Sequence, residues 1–242
     1  MEEHDTETDT RRMKAIFMLV AAIGFASAPF WTSGFGGFDP QRYPIPQIDP
    51  PVQPAGYAFS IWGVIYLWLI GSALFGLLKR AGNAGWDATR WPLTLSLVLG
   101  TPWISVAQVS PVWATVLIWA MLLAALVALF RTPDADPWLL RAPIALYAGW
   151  LTAASFVSLA LLGAGYGVLT DATGWAWGAL FAALATGVAV LKLRPAPLYG
   201  AALAWALVAV AVRNWPDQVG IAALAIFGAA AVLWYAFRPA AQ

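Results

Sequence analysis

The chain alternates long apolar stretches with short polar breaks. After a polar opening, residues 15–32 are continuously apolar. Residues 50–78 follow, with a helix expected to begin near Pro54. Residues 91–130 carry no charge at all, twice the about 20 residues a helix needs to cross the hydrocarbon core. Ser110-Pro111 divides that run, because proline disfavours the helical conformation in the residue before it. Residues 142–170, 172–191, 195–212 and 218–237 give four further runs. The pattern predicts an all-α fold: a polytopic membrane helical bundle of about eight transmembrane spans.

The basic residues test that count. With the N-terminus placed in the cytoplasm, the inner segments hold Arg11, Arg12, Lys14, Lys79, Arg80, Arg90, Arg131, Arg141, Lys192, Arg194 and Arg238. The outer segments hold only Arg42 and Arg213. An excess of Lys and Arg on one set of alternate loops orients a membrane protein with that set in the cytoplasm. Both termini are therefore expected to be cytoplasmic, in a bacterial inner membrane. Arg11, Arg12 and Lys14 ahead of an apolar run and Ala26-Ser27-Ala28 resemble a signal peptide. The acidic residues before them and Pro29 after the would-be cleavage point favour an uncleaved first span.

Composition agrees. Hydrophobic residues make up 61% of the 242 positions and charged residues 10%, against roughly 25% charged in soluble proteins. The net charge of +1 leaves no basic footprint for nucleic acid. The chain has no cysteine, and its single histidine, His4, lies in the polar opening. Thiolate chemistry, cysteine or histidine metal ligation and a histidine proton relay are thus excluded from the spans. No Asp, Glu, Lys, Arg or His falls within the spans drawn this way, which argues against a proton-coupled carrier, a pump or a retinal-type Schiff base. The same lack speaks against an enzyme; no catalytic residue and no metal site is assigned.

The spans do contain aromatic rings. Among the 15 tryptophans, many fall at span ends, where indoles favour the membrane interface. Trp62, Trp103, Trp119, Trp150 and Trp205 fall deeper, where an indole N–H needs a partner. In the second span Phe59, Trp62 and Tyr66 stand at i, i+3 and i+7, on one helical face. Tyr147, Trp150 and Ala154 repeat those offsets in the fifth. Two readings of these stripes stay open: helix packing, or the walls of one pocket for a flat apolar ligand. Between the first two spans lies a long segment with six prolines within residues 40–54 and apolar anchors at Phe35, Phe38, Tyr43 and Ile45. It reads as a stiff lid, a partner surface or a plain cap. Gly100-Thr101-Pro102 predicts a kink in the third span just before Trp103.

The stretch from Pro54 through Tyr57, Phe59 and Trp62 to Tyr66 resembles the second helix of the TspO/MBR family, the tryptophan-rich sensory or translocator proteins. Residues 139–150, with Tyr147 and Trp150 three apart and Ala154 four further on, are similar to that family's fifth-helix signature, and Trp103 matches its third-helix tryptophan. Glycine and serine stand at Gly100 and Ser158, where the family usually has asparagine. The likeness covers about residues 15–163, and short members end after five helices. It divides the chain into a cytoplasmic polar tail at 1–14, a TspO-like five-helix core at 15–163 with the Pro-rich outer loop at 32–54, and three additional helices at 164–242.

The resemblance implies a bundle that binds tetrapyrroles such as porphyrin, without a covalent cofactor, in a cavity beneath the first loop. It implies a role in sensing, regulation or transport. The candidate ligand-binding residues are Tyr57, Phe59, Trp62, Tyr66, Trp103, Tyr147, Trp150 and Ala154, with spans six to eight packed outside the pocket. Its partners would be the lipid bilayer and a hydrophobic small molecule, with a second copy or a membrane complex as possible protein partners. Two further readings are a carrier for a neutral small molecule, suited to a broken third span, and a structural or assembly subunit.

Overall fold

The computed structural model describes the backbone of residues 2–32 and 35–238, with side chains from Glu7 onward. His4, Ser33 and Gly34 lie outside the described side chains. Among the described residues there are nine α-helices: α1 (Glu2–Trp31), α2 (Ile61–Lys79), α3 (Ala84–Gly100), α4 (Trp103–Val109), α5 (Pro111–Phe130), α6 (Ala142–Gly165), α7 (Ala172–Leu193), α8 (Pro197–Asn214) and α9 (Val219–Phe237). Helices α3 and α4 together form the third span, and eight segments are long and apolar enough to cross a membrane. The fold is an all-α polytopic bundle.

Helix starts follow local chemistry. The side chains of Asn83, Ser110 and Asp171 accept hydrogen bonds from the backbone N–H groups of Trp86, Trp113 and Gly174, which the first turns of α3, α5 and α7 leave free. Pro111 occupies the first position of α5, where no intrahelical N–H is needed. The third span is not merely bent at Pro102. It breaks there, α3 ending at Gly100 and α4 restarting at Trp103.

Two boundaries differ from the pattern of charge-free runs. Helix α1 already begins at Glu2, so the polar opening is helical and continuous with the first span. Helix α3 begins at Ala84, and Asp87 and Arg90 therefore lie within the third span. Arg90 is 1% exposed. Its guanidinium donates to the carbonyls of Arg11, Ala81 and Arg80, each at 2.8 Å. Lys14 pairs with Asp87 at 2.8 Å. A charge can sit in a span end when loop carbonyls and a carboxylate satisfy it, and no count of uncharged residues anticipates that.

Helix α6 is the centre of the bundle: nearly all of its residues are buried, whereas most of those in α2 are not. It packs against α5, α7 and α8, while α1 packs on α2 and α3, and α8 packs on α9. The approach of α6 to α8 requires Gly149: a Cβ there would stand 2.2 Å from the Tyr199 carbonyl oxygen. The loop between the first two spans is a fastened cap. The Ile45 N–H donates to the Gly165 carbonyl at 2.9 Å and the Ala55 N–H to the Ala209 carbonyl at 3.1 Å. The Asn214 side chain donates to the Pro51 carbonyl at 2.8 Å. Arg213 pairs with Asp49 at 2.5 Å.

Candidate functional site

Beneath this cap lie two adjoining chambers. The first has a cavity volume of about 60 Å3 and is bounded by Phe35, Phe38 and Pro54 of the loop, by Trp150, Ala154 and Ser158 of α6, and by residues of α7 and α8. The second, about 310 Å3, lies between α1, α2 and the broken third span, against Phe25, Pro29, Phe30, Gly63, Tyr66 and Gly100. Phe35, Phe59, Trp62, Trp103 and Ile118 border both. Four aromatic rings thus form most of the partition between the chambers.

The rings hold one another, one pair stacked and the rest edge to face. Trp62 stacks on Tyr66 at 5.3 Å and meets Trp150 at 6.1 Å and 84°. Phe59 meets Trp150 at 5.9 Å, and Phe35 meets Trp103 at 4.9 Å. Such geometries let the positive ring edge face the negative ring face, contributing about 0.5–1.5 kcal/mol per pair beyond burial. Trp103 is anchored further, its indole N–H donating to the Ala114 carbonyl at 2.9 Å. The indole N–H of Trp150 has no acceptor, although the residue is 2% exposed.

Six of the eight residues chosen from the sequence border this pair of chambers. Phe59, Trp62 and Trp103 face both, Trp150 and Ala154 the smaller, and Tyr66 the larger. Tyr57 and Tyr147 border neither. Tyr57 is 45% exposed and turns to Trp205 of α8, ring to ring at 5.4 Å. Tyr147 is fully buried behind the wall, sharing a hydrogen bond with Ser96 at 2.9 Å. Its i, i+3 offset from Trp150 places it on the same stripe, but one turn deeper, where α3 covers it.

Spans six and seven do not stay outside. Ala179, Leu180 and Ala183 of α7 and Leu203, Ala206 and Leu207 of α8 bound the smaller chamber. Small residues there leave room, and they carry no aromatic signal in the sequence. Phe25 is the other residue that motif spacing passes over. Its ring meets Trp62, Tyr66 and Tyr147 at 5.7, 5.1 and 5.6 Å. It is one of three phenylalanines in its apolar run, with Phe17 and Phe30, so only the fold distinguishes it. In the cap, Tyr43 packs on Gly165 with its hydroxyl buried and unpartnered. Burial, with Tyr166 adding to it, pushes the Tyr43 phenol above its ordinary pKa.

Among the described residues no three His, Asp or Glu side chains gather to hold a metal ion. The chambers present rings and aliphatic groups, with Gln53, Ser158 and the Trp150 N–H as polar points.

Fold and cavity together define a multi-pass integral membrane protein whose helices enclose an uncharged aromatic cavity. A family model described as TSPO-like protein matches residues 43–238. This chain belongs to the TSPO-like family. The match begins after the first span and runs through the last three, so those spans lie inside the family likeness rather than beyond it. No curated protein and no solved structure matches the chain.

Proposed function

We propose that the protein binds a planar hydrophobic ligand of the tetrapyrrole class within the two chambers and acts in sensing or regulation. The observation that carries this reading is Trp150. An indole N–H buried in an apolar wall without an acceptor is unfavourable by about 1–3 kcal/mol, and a ligand nitrogen or oxygen in the smaller chamber would satisfy it. The aromatic partition supports the same reading, since flat rings stack on flat ligands. Pockets for small molecules usually measure about 300–1,000 Å3. The larger chamber, at about 310 Å3, stands at the bottom of that range. A tetrapyrrole therefore needs the partition to swing aside and join the chambers.

The distribution of Lys and Arg supports placing both termini in the cytoplasm and the Pro-rich cap outside, in a bacterial inner membrane. Quenching of tryptophan fluorescence by protoporphyrin, titrated into the purified protein in detergent, tests the reading. Saturable quenching is expected, weakened roughly three- to tenfold in Trp150→Phe, which keeps an aromatic ring but removes the N–H. A parent protein that shows no saturable quenching would refute the proposal.

A further inference from the structure

Two of the ion-pair clusters on the basic face of the bundle differ in completeness. In one, Arg80 of the α2–α3 turn grips Asp136 through Nε at 2.7 Å and Nη2 at 3.1 Å, and the Trp86 indole N–H donates to the same carboxylate at 3.0 Å. Asp136 is 17% exposed. One carboxylate answers one guanidinium, and both of its oxygens are used.

The second cluster is short of negative charge. Arg141, at the start of the fifth span, and Arg194, just past α7, both direct Nη2 at a single oxygen of Asp134, at 2.5 and 3.5 Å. That carboxylate is 90% exposed, while the two arginines are 19% and 23% exposed. The same Nη2 atoms also donate to carbonyls, Arg141 to Pro133 at 2.7 Å and Arg194 to Thr132. The Nε of each is buried without an acceptor. Burial and the Arg141 charge both lower the Arg194 pKa. Arg131, one residue before Thr132, is exposed and makes no ion pair among the described residues. Two cations thus share one solvent-facing acid. The surroundings are those of a bilayer interface: Trp138, three residues before Arg141, and Leu193, directly before Arg194, are 68% and 75% exposed.

We propose that Arg141 and Arg194 bind a phosphate-bearing anion, the headgroup of an acidic phospholipid in the leaflet on the basic face. A phosphate diester offers the oxygens that paired guanidinium forks favour. Basic pockets between spans on that side of a membrane hold such headgroups. The apolar side chains beside the arginines favour a lipid over a soluble phosphate. Asp134 then acts as the competitor that the headgroup displaces.

The full-length protein is reconstituted in phosphatidylcholine nanodiscs with and without phosphatidylglycerol. Its unfolding temperature is followed, and lipid retention is read by native mass spectrometry. Phosphatidylglycerol is expected to stabilise the parent and to be retained preferentially. Arg141→Gln and Arg194→Gln should each weaken that preference about fivefold. Asp134→Asn guards against arginine variants that fail to fold, because it should strengthen the preference, whereas loss of a merely structural ion pair would not. Arginine variants that keep the parent's preference, or an Asp134→Asn variant that weakens it or leaves it unchanged, would overturn the site. Inorganic phosphate added to phosphatidylcholine discs separates the sources. Arginine-dependent stabilisation by phosphate, without any preference for phosphatidylglycerol, would overturn the lipid assignment.

Discussion

A side chain on Gly100 would have to occupy space that the ring of Phe25 already fills: a Cβ there would stand 2.5 Å from Phe25 Cε2 and 2.9 Å from Met121 Cε. The TspO/MBR resemblance puts an asparagine at this position of the third span. Here the phenylalanine from α1 takes the volume, and its ring meets Trp62 and Tyr66 on the wall of the larger chamber and Tyr147 behind it. The departure from the family pattern is thus matched by a ring from another helix.

The first prediction follows. Gly100→Asn should lower the unfolding temperature, since overpacking a filled core costs typically about 1–3 kcal/mol. Phe25→Ala alone should also destabilise, by leaving a cavity. The double variant should be more stable than the sum of the two losses implies, because each change relieves the other. Thermal unfolding of the four proteins in one detergent measures this coupling. Strict additivity would show that the two positions do not compete for space.

Glycines within the spans should divide by what faces them. At Gly149 the obstacle is backbone, the Tyr199 carbonyl, which cannot rotate away. Gly149→Ala should force α6 and α8 apart and destabilise by about 1–3 kcal/mol or more. At Gly178 in α7 nothing lies within 4 Å of an added Cβ. Gly178→Ala should stabilise by roughly 0.5–1 kcal/mol through helix propensity. Opposite shifts in unfolding temperature are expected, and shifts of the same sign would contradict the packing of α6 on α8.

Acid should loosen the basic face. The hydrogen bonds from Arg80 and then Trp86 hold the Asp136 carboxyl below its ordinary pKa. A depressed folded-state value means that the ionised form stabilises the fold. That contribution is complete above the unfolded carboxyl value of about 3.9 and is lost as pH falls through the lower folded value. Unfolding temperature should therefore drop below about pH 4. Asp136→Asn should reduce stability at neutral pH and flatten the acid limb. Asn suits the backbone at this site, where φ is 52°, because it tolerates the left-handed region. An unchanged acid limb in the variant would remove Asp136 from this role.

Sidedness is the next expectation. Reporter fusions at Asp136 and Lys192 should report the cytoplasm, and fusions at Asp171 and Arg213 the opposite side. The motivation is the concentration of Lys and Arg on one set of loops. A cytoplasmic signal at Asp171 would invert the proposed orientation or break the count of spans.

How much of this was legible in the chain can be judged from single residues. Apolar runs and the Ser110-Pro111 break locate the eight spans because hydrophobic length and proline chemistry act locally. Arg90 was not legible as a span residue, since what permits its burial is a set of carbonyls contributed by α1 and the α2–α3 turn. The i, i+3, i+7 stripe of Phe59, Trp62 and Tyr66 does face the chambers, for helical periodicity fixes a face once one member is inward. The same rule misplaces Tyr147, because depth along the helix decides whether a ring meets the cavity or the neighbouring helix. Ala179, Ala183 and Ala206 leave no signal at all: a small side chain bordering a cavity reads like one packed in a helix contact.

The final prediction separates the two chambers. Ala154 borders only the smaller chamber, Tyr66 only the larger, and Trp62 both. A ligand the size of a tetrapyrrole must extend through both, because neither alone offers much beyond the about 300 Å3 lower bound of ordinary ligand pockets. Ala154→Phe, Tyr66→Leu and Trp62→Leu should then each weaken protoporphyrin binding, Trp62→Leu by about tenfold or more from lost ring contact and burial. A smaller aromatic probe that sits in the larger chamber alone should respond to Tyr66→Leu and Trp62→Leu while ignoring Ala154→Phe. Fluorescence titrations of both ligands against all three variants, each first shown to unfold as the parent does, provide the measurement. If Ala154→Phe leaves protoporphyrin affinity unchanged while Tyr66→Leu lowers it, the ligand does not pass the aromatic partition. The unpartnered N–H of Trp150 would then lie beyond its reach.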